Sequence, residues 1–181
     1  ASSNIVVGSG ITAFAMAAIP EEFFKYRVLR KYVAGHKDFD EPMDGIVYGA
    51  VASLGFATIE NVLYCSSGDL SVAFMRAFTA VPGHASFGAI MGYTFARRHF
   101  AGKANGVFGP ALLLPILLHG VYDWVLFVGD GVATAAVDRD LYPEELQLIG
   151  ACALIFFIVG GYMVWKVRRI VRIMRAEQEA M

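Results

Sequence analysis

"AAIPEEFFKYRVLR", residues Ala17–Arg30, sets two adjacent carboxylates, Glu21 and Glu22, between an apolar run and a basic one. A membrane-crossing helix takes about 20 residues. The apolar run that begins near Ile5 or Ile11 is short for a span if it stops at Ile19, so the helix must continue past the double acid towards Arg30. That reading puts Glu21 and Glu22 at membrane depth.

The rest of the chain supports it. Of 181 residues, 57% are hydrophobic and 17% charged, with a mean hydropathy of +0.55, too apolar for an ordinary soluble domain. Four further stretches are long and apolar enough to span: Gly45–Tyr64, Ser71–Ala96, Gly106–Val128 and Leu146–Trp165. Cations gather in alternate connections. Lys25, Arg27, Arg30, Lys31 and Lys37 follow the first span, Arg97, Arg98 and Lys103 the third, and Lys166, Arg168, Arg169, Arg172 and Arg175 the fifth. The other connections are nearly bare: "CSSGD" has no Lys or Arg, and 129–145 has only Arg139. The positive-inside rule then predicts an all-α, polytopic bundle of about five helices, N-terminus outside and C-terminus cytoplasmic; the cell's inner (plasma) membrane is the expected location. One domain over 1–181 is the economical count.

The net charge of -1, with cations confined to juxtamembrane clusters, argues against a nucleic-acid partner. No basic n-region marks a signal peptide. The chain lacks an initiator Met, as a processed or trimmed product would. Cys65 and Cys152 read as isolated small apolar residues rather than a disulfide. The tail "KVRRIVRIMR" has an amphipathic helical pattern suited to anionic headgroups, or to a plain topological anchor.

An ionisable group at membrane depth costs roughly 2.5–3.5 kcal/mol on insertion scales and calls for a partner or a task. Glu21 and Glu22 precede Lys25 by four and three residues, within reach along one helix face. Pro20 frees a carbonyl just before them. In "GFATIENVLY", Phe56, Glu60 and Tyr64 share a face, with Asn61 beside it and no base in that helix, so Glu60 must look to other helices. "VPGHASFG" sets His84 beside Pro82 and Gly83, with Gly88 leaving room for close approach. "LLHGVYDW" sets His119 and Asp123 one turn apart, as an imidazole and its orienting carboxylate. Polar faces converging from four helices build an intramembrane site.

"PEEFFK", "FDEPMDGIVYGA", "GFATIENVLY", "GHASFG" and "LLHGVYD" resemble, in order and spacing, the motifs of PrsW-type membrane proteases, a branch of the superfamily that includes the CAAX prenyl endopeptidases and bacteriocin-processing proteins. The likeness runs from Ala17 to about Trp124. It implies an intramembrane peptidase making a site-1-type cut in a membrane-anchored substrate such as an anti-sigma factor, with Glu21, Glu22, Glu60, His84 and His119 catalytic and Lys25, Asn61 and Asp123 supporting. Members of that family usually carry further membrane helices ahead of the double Glu, where this sequence has room for one, which leaves homo-oligomerisation and substrate access open.

Two chemistries suit these residues. In the favoured one, without a cofactor, Glu22 is the general base, Lys25 keeps its neighbour ionised, His84 and Glu60 position the water, and His119 with Asn61 stabilises the oxyanion. In the other, Glu22, Glu60, His84 and His119 ligate zinc, although no His-Glu-x-x-His motif is present. No serine lies in a Gly-x-Ser-x-Gly context and no paired intramembrane aspartates occur at matched depth. Proton-coupled transport also uses buried Glu and His, but no inverted repeat is visible. A scaffold would need none of the acids for chemistry.

Overall fold

The computed structural model describes residues 2–67, 70–102 and 109–179; Lys103, Gly68 and Asp69 of the "CSSGD" connection, and the first residues of the span expected from Gly106 lie outside them. The described residues are helical, with no strand among them. They form α1 (Ser2–Ile11), a π-helical stretch (Thr12–Ala18), α2 (Ile19–Val28), a second π-helical stretch (Leu29–Val33), α3 (Pro42–Ser67), α4 (Leu70–Phe78), α5 (Ala80–Phe100), α6 (Pro110–Ala135) and α7 (Pro143–Glu179).

Four helical runs are long and apolar enough to cross a membrane: Ser3–Val33, Pro42–Ser66, Pro110–Ala135 and Pro143–Glu179. The first includes the double acid, as the length of its apolar run required. Their outer faces are apolar: Leu154, Phe157 and Ile158 on α7 and Val51, Ile59 and Leu63 on α3 are exposed, an arrangement suited to lipid and costly in water.

The stretch expected as one span from Ser71 to Ala96 is two helices that part at Thr79. Of the two, α5 lies at the centre of the bundle, burying Gly83, His84, Phe87, Gly88, Ala89, Ile90, Met91, Gly92, Phe95 and Ala96. Glycine makes this possible. Gly45 and Gly49 on α3 and Gly88 and Gly92 on α5 each form a Gly-x-x-x-Gly row, and the rows meet antiparallel, Gly45 against Gly92 and Gly49 against Gly88. A Cβ on Gly92 would strike the Gly45 carbonyl, and one on Gly49 the Gly88 carbonyl. Backbones packed this closely replace the hydrophobic driving force that lipid removes.

The remaining helices close around this pair. On α6, Gly120 faces the ring of Phe14, and Trp124 Nε1 donates to the Val6 carbonyl at 2.9 Å, fixing α6 against the N-terminal run. Tyr122, Val125, Val128 and Val132 of α6 pack on Cys152, Phe156, Val159 and Met163 of α7. Both cysteines are free, with Cys152 buried and Cys65 exposed. At 37 residues α7 is one continuous helix about 55 Å long, more than a bilayer core needs. Arg97–Glu177 at 2.7 Å and Gln178 to Glu41 at 2.6 Å tie its last turns to α5 and to the segment before α3.

Candidate active site

Pro20 has no N–H to give the preceding turn and its ring crowds the carbonyl four residues back. The chain answers with the wide π turn at Thr12–Ala18, immediately before α2. α2 then sends Glu21, Glu22 and Lys25 inward together, Glu22 and Lys25 fully buried and Glu21 a quarter exposed.

Lys25 organises the centre. Its Nζ donates to Glu22 Oε1 at 2.7 Å, reaches Glu21 Oε2 at 3.4 Å and stands 2.9 Å from His84 Nδ1. An ammonium only donates, so His84 Nδ1 is the acceptor and its Nε2 carries the proton. That Nε2 donates to Glu60 Oε2 at 2.9 Å. From α6, His119 sets Nδ1 2.8 Å from Glu22 Oε1 and Nε2 3.2 Å from Asp123 Oδ2. Ionised carboxylates only accept, so this ring can serve both as the imidazolium. Phe87 stacks on it with centroids 4.9 Å apart, and the two imidazoles meet edge to face at 5.2 Å.

A cavity of about 350 Å³ opens beside these groups. Glu21, Glu60, Arg76, His84, Tyr122 and Asp123 form its polar wall, and Met16, Leu126 and Phe127 are among its apolar lining. Glu22 is absent from that wall. The expected residues Glu21, Glu22, Lys25, Glu60, His84, His119 and Asp123 thus come together from four helices. Asn61 does not join them; its Oδ1 accepts from Arg76 Nε at 2.7 Å.

Arg76, on α4, is the residue the sequence reading overlooked. Its guanidinium lies 3.0 Å from Glu60 Oε2 and over the Tyr64 ring, 4.1 Å from the centroid. The signal was available, since an arginine inside an expected span carries the same cost as the acids that were singled out. With Arg76 counted, four carboxylates face two permanent cations and an imidazolium.

Lys25→Met would remove one of the two cationic partners of the buried Glu22, leaving it His119 alone. The expected loss is about 3–5 kcal/mol of stability, read as unfolding in detergent, with part of it restored by adding Glu22→Gln.

The comparisons with known proteins concern the same stretch of chain. A family model described as PrsW family intramembrane metalloprotease matches residues 1–162. This chain belongs to the PrsW family. Relatives named Protease PrsW are 46% identical over 127 residues in Geobacillus kaustophilus (70% of this chain, 56% of the relative) and 42% identical over 125 residues in Bacillus subtilis (68% and 57%). A third, in Clostridioides difficile, is 38% identical over 123 residues, 64% of this chain and 52% of the relative. The chain spans about half the length of the curated relatives it matches. No solved structure matches it.

The PrsW family's description as a metalloprotease implies an ion, and the donor set can be tested against one. Ligand atoms of Glu21, His84 and His119 lie within 4.8 Å of one another. Two imidazoles and a carboxylate are a ligand set for hydrolytic zinc, and ligating imidazoles ordinarily keep their second nitrogen on a carboxylate or similar partner. Glu60, Glu22 and Asp123 are so placed. The set fits in type and spacing, with Glu21 in the place the sequence reading gave to Glu22. Each ring would have to exchange one present partner for the ion.

Proposed function

We propose that this PrsW-family chain hydrolyses a peptide bond of a membrane-anchored substrate, with Glu21 as the general base. One observation carries the assignment: Glu21 is the member of the acid pair on the cavity wall, while Glu22 is sealed behind it with Oε1 accepting from both Lys25 and His119. A base must reach the water it deprotonates. Glu21 takes a proton from that water as its oxygen attacks the scissile carbonyl. Arg76, on the cavity wall, donates to the developing oxyanion, and His84, on the same wall between Lys25 and Glu60, orients the water; His119, buried with its two nitrogens held by Glu22 and Asp123, is a positioning residue. Glu21 returns its proton to the leaving amine as the carbon–nitrogen bond breaks. Lys25 and Glu22 are positioning residues, buried where substrate does not reach.

The substrate class, a single-pass membrane protein such as an anti-sigma factor, and residence in the plasma membrane rest on the resemblance, and the orientation with the basic helix ends cytoplasmic rests on the alternation of cations among the connections. A second reading is favoured by the closeness of Glu21, His84 and His119 together with the family description. Those three would hold zinc, which when bound would polarise the carbonyl and acidify its water. The experiment is cleavage of a single-pass substrate by the purified protein in detergent or liposomes, with and without a chelator. Cleavage that survives chelation supports Glu21 acting alone; loss restored by zinc supports the second reading. No cleavage by folded protein of any tested membrane-anchored substrate would turn the reading towards transport.

A further inference from the structure

Beyond the catalytic cavity, α7 carries a basic face with no internal use. Arg168, Arg169 and Arg172, with Gly161, Val164, Trp165 and Ile173, border a groove of about 530 Å³. The opposite face is the packed one, since Met163, Ile170 and Met174 are buried against the bundle. Among the described residues none of these three arginines has a carboxylate within ion-pair distance, whereas Arg97 and Arg139 are paired with Glu177 and Glu145. Arg169 instead lies over the Trp165 ring, 5.2 Å from its centroid.

Depth identifies what meets them. The apolar run Leu146–Trp165 is 20 residues and about 30 Å long, which matches the hydrocarbon core and leaves Trp165 at its edge. Arg168, Arg169 and Arg172 then follow at about 4.5, 6 and 10.5 Å beyond, through the headgroup layer. Because α7 is unbroken and Ile170 and Met174 keep its end packed on the bundle, they stand at the level of the lipid phosphates. A tryptophan at the interface with three unpaired guanidiniums on the same face fits an anionic headgroup over a zwitterionic one, whose choline would be repelled.

We propose that the Trp165–Arg172 face of α7 is a binding site for the phosphate headgroup of an anionic lipid. Bound there, the lipid anchors α7, whose inner face holds Val159 and Met163 against Phe87 and Tyr122 beside the catalytic cavity.

The chain has two tryptophans, so Trp124→Phe leaves Trp165 as the sole reporter. This full-length variant is reconstituted in vesicles containing brominated phosphatidylglycerol or brominated phosphatidylcholine, and quenching gives the relative affinity at Trp165. Each arginine near an anionic surface contributes about fivefold, so a preference for phosphatidylglycerol on the order of 100-fold is expected. Arg168→Gln, Arg169→Gln and Arg172→Gln together should bring it close to parity. Replacing the three arginines by lysine should retain most of it, and a charge-matched change of Arg27, Arg30 and Lys31 to Gln should leave it intact. Equal quenching by the two lipids in the Trp124→Phe protein, or a preference that falls as much with the remote triple change, would overturn the proposal.

Discussion

Glu21→Gln should lower kcat/KM for a membrane-anchored substrate by about 1,000-fold, within the range that general-base catalysis contributes, with little change in thermal stability. Glutamine keeps the shape of the side chain and its contact with Lys25 but cannot take a proton. Because Glu21 is a quarter exposed and its Lys25 contact is the longer one, at 3.4 Å, little folding energy rests on it. Glu22→Gln is the informative partner. Its carboxylate is fully buried and accepts from both Lys25 and His119, so losing its charge leaves two buried cationic groups without its counter-charge. That variant should melt earlier, and its folded fraction should lose far less activity than Glu21→Gln, since positioning is weakened while the base is kept. Kinetics and melting measured on both variants decide the matter. Glu22→Gln melting like the parent but inactive, beside an active Glu21→Gln, would return the base to Glu22.

The tandem acid shows where sequence stops. Adjacent residues on a helix point about 100° apart, so one of the pair had to be buried and one not, but which one depends on the phase of the helix. The π turn ahead of Pro20 sets that phase, and no periodicity in the sequence announces it. By contrast, the need of Glu60 for a partner outside its own helix and the pairing of His119 with Asp123 were legible, whereas Lys25 on His84 and Glu22 on His119 were not. An acid without a base in its own helix must find one across the bundle, and Glu60 found His84, while Asp123 one turn from His119 needed no tertiary information. Arg76 was missed for the opposite reason. Hydropathy averaging absorbed it into a span from Ser71 to Ala96, whereas the chain breaks at Thr79 and brings α4 over the cavity. The tail of α7 was read as suited to anionic headgroups or to a plain topological anchor, and the sequence did not show that it packs on the bundle. Its contacts from Ile170, Met174 and Glu177 to α3 and α5 hold it there.

Gly92→Ala should be the most damaging single methyl in the protein. The added Cβ would meet the carbonyl of Gly45, which is backbone and cannot rotate away, so α3 and α5 must separate. Overpacking of this kind typically costs 1–3 kcal/mol and sometimes more; with backbone as the obstacle, about 3 kcal/mol or above is expected, seen as a large fall in the melting temperature in detergent. Gly55→Ala, on the same α3 with nothing within 4 Å of its Cβ, is the control. It should be neutral or gain up to about 1 kcal/mol from helix propensity. The consequence reaches the site because the glycine rows set the register of the two helices that carry Glu60 and His84. Ser53, in contact with Gly88, continues the small-residue row on α3 towards Glu60, and His84 precedes Gly88 by one turn on α5. Moving the helices apart lengthens the 2.9 Å contact between His84 Nε2 and Glu60 and frees Glu60 to Arg76 alone. Even the fraction of Gly92→Ala that remains folded should therefore cleave more slowly than Gly55→Ala under the same conditions. A Gly92→Ala protein that melted and cleaved like its parent would mean that the two backbones are not in contact, and that something other than this packing sets the distance between the imidazole and its carboxylate.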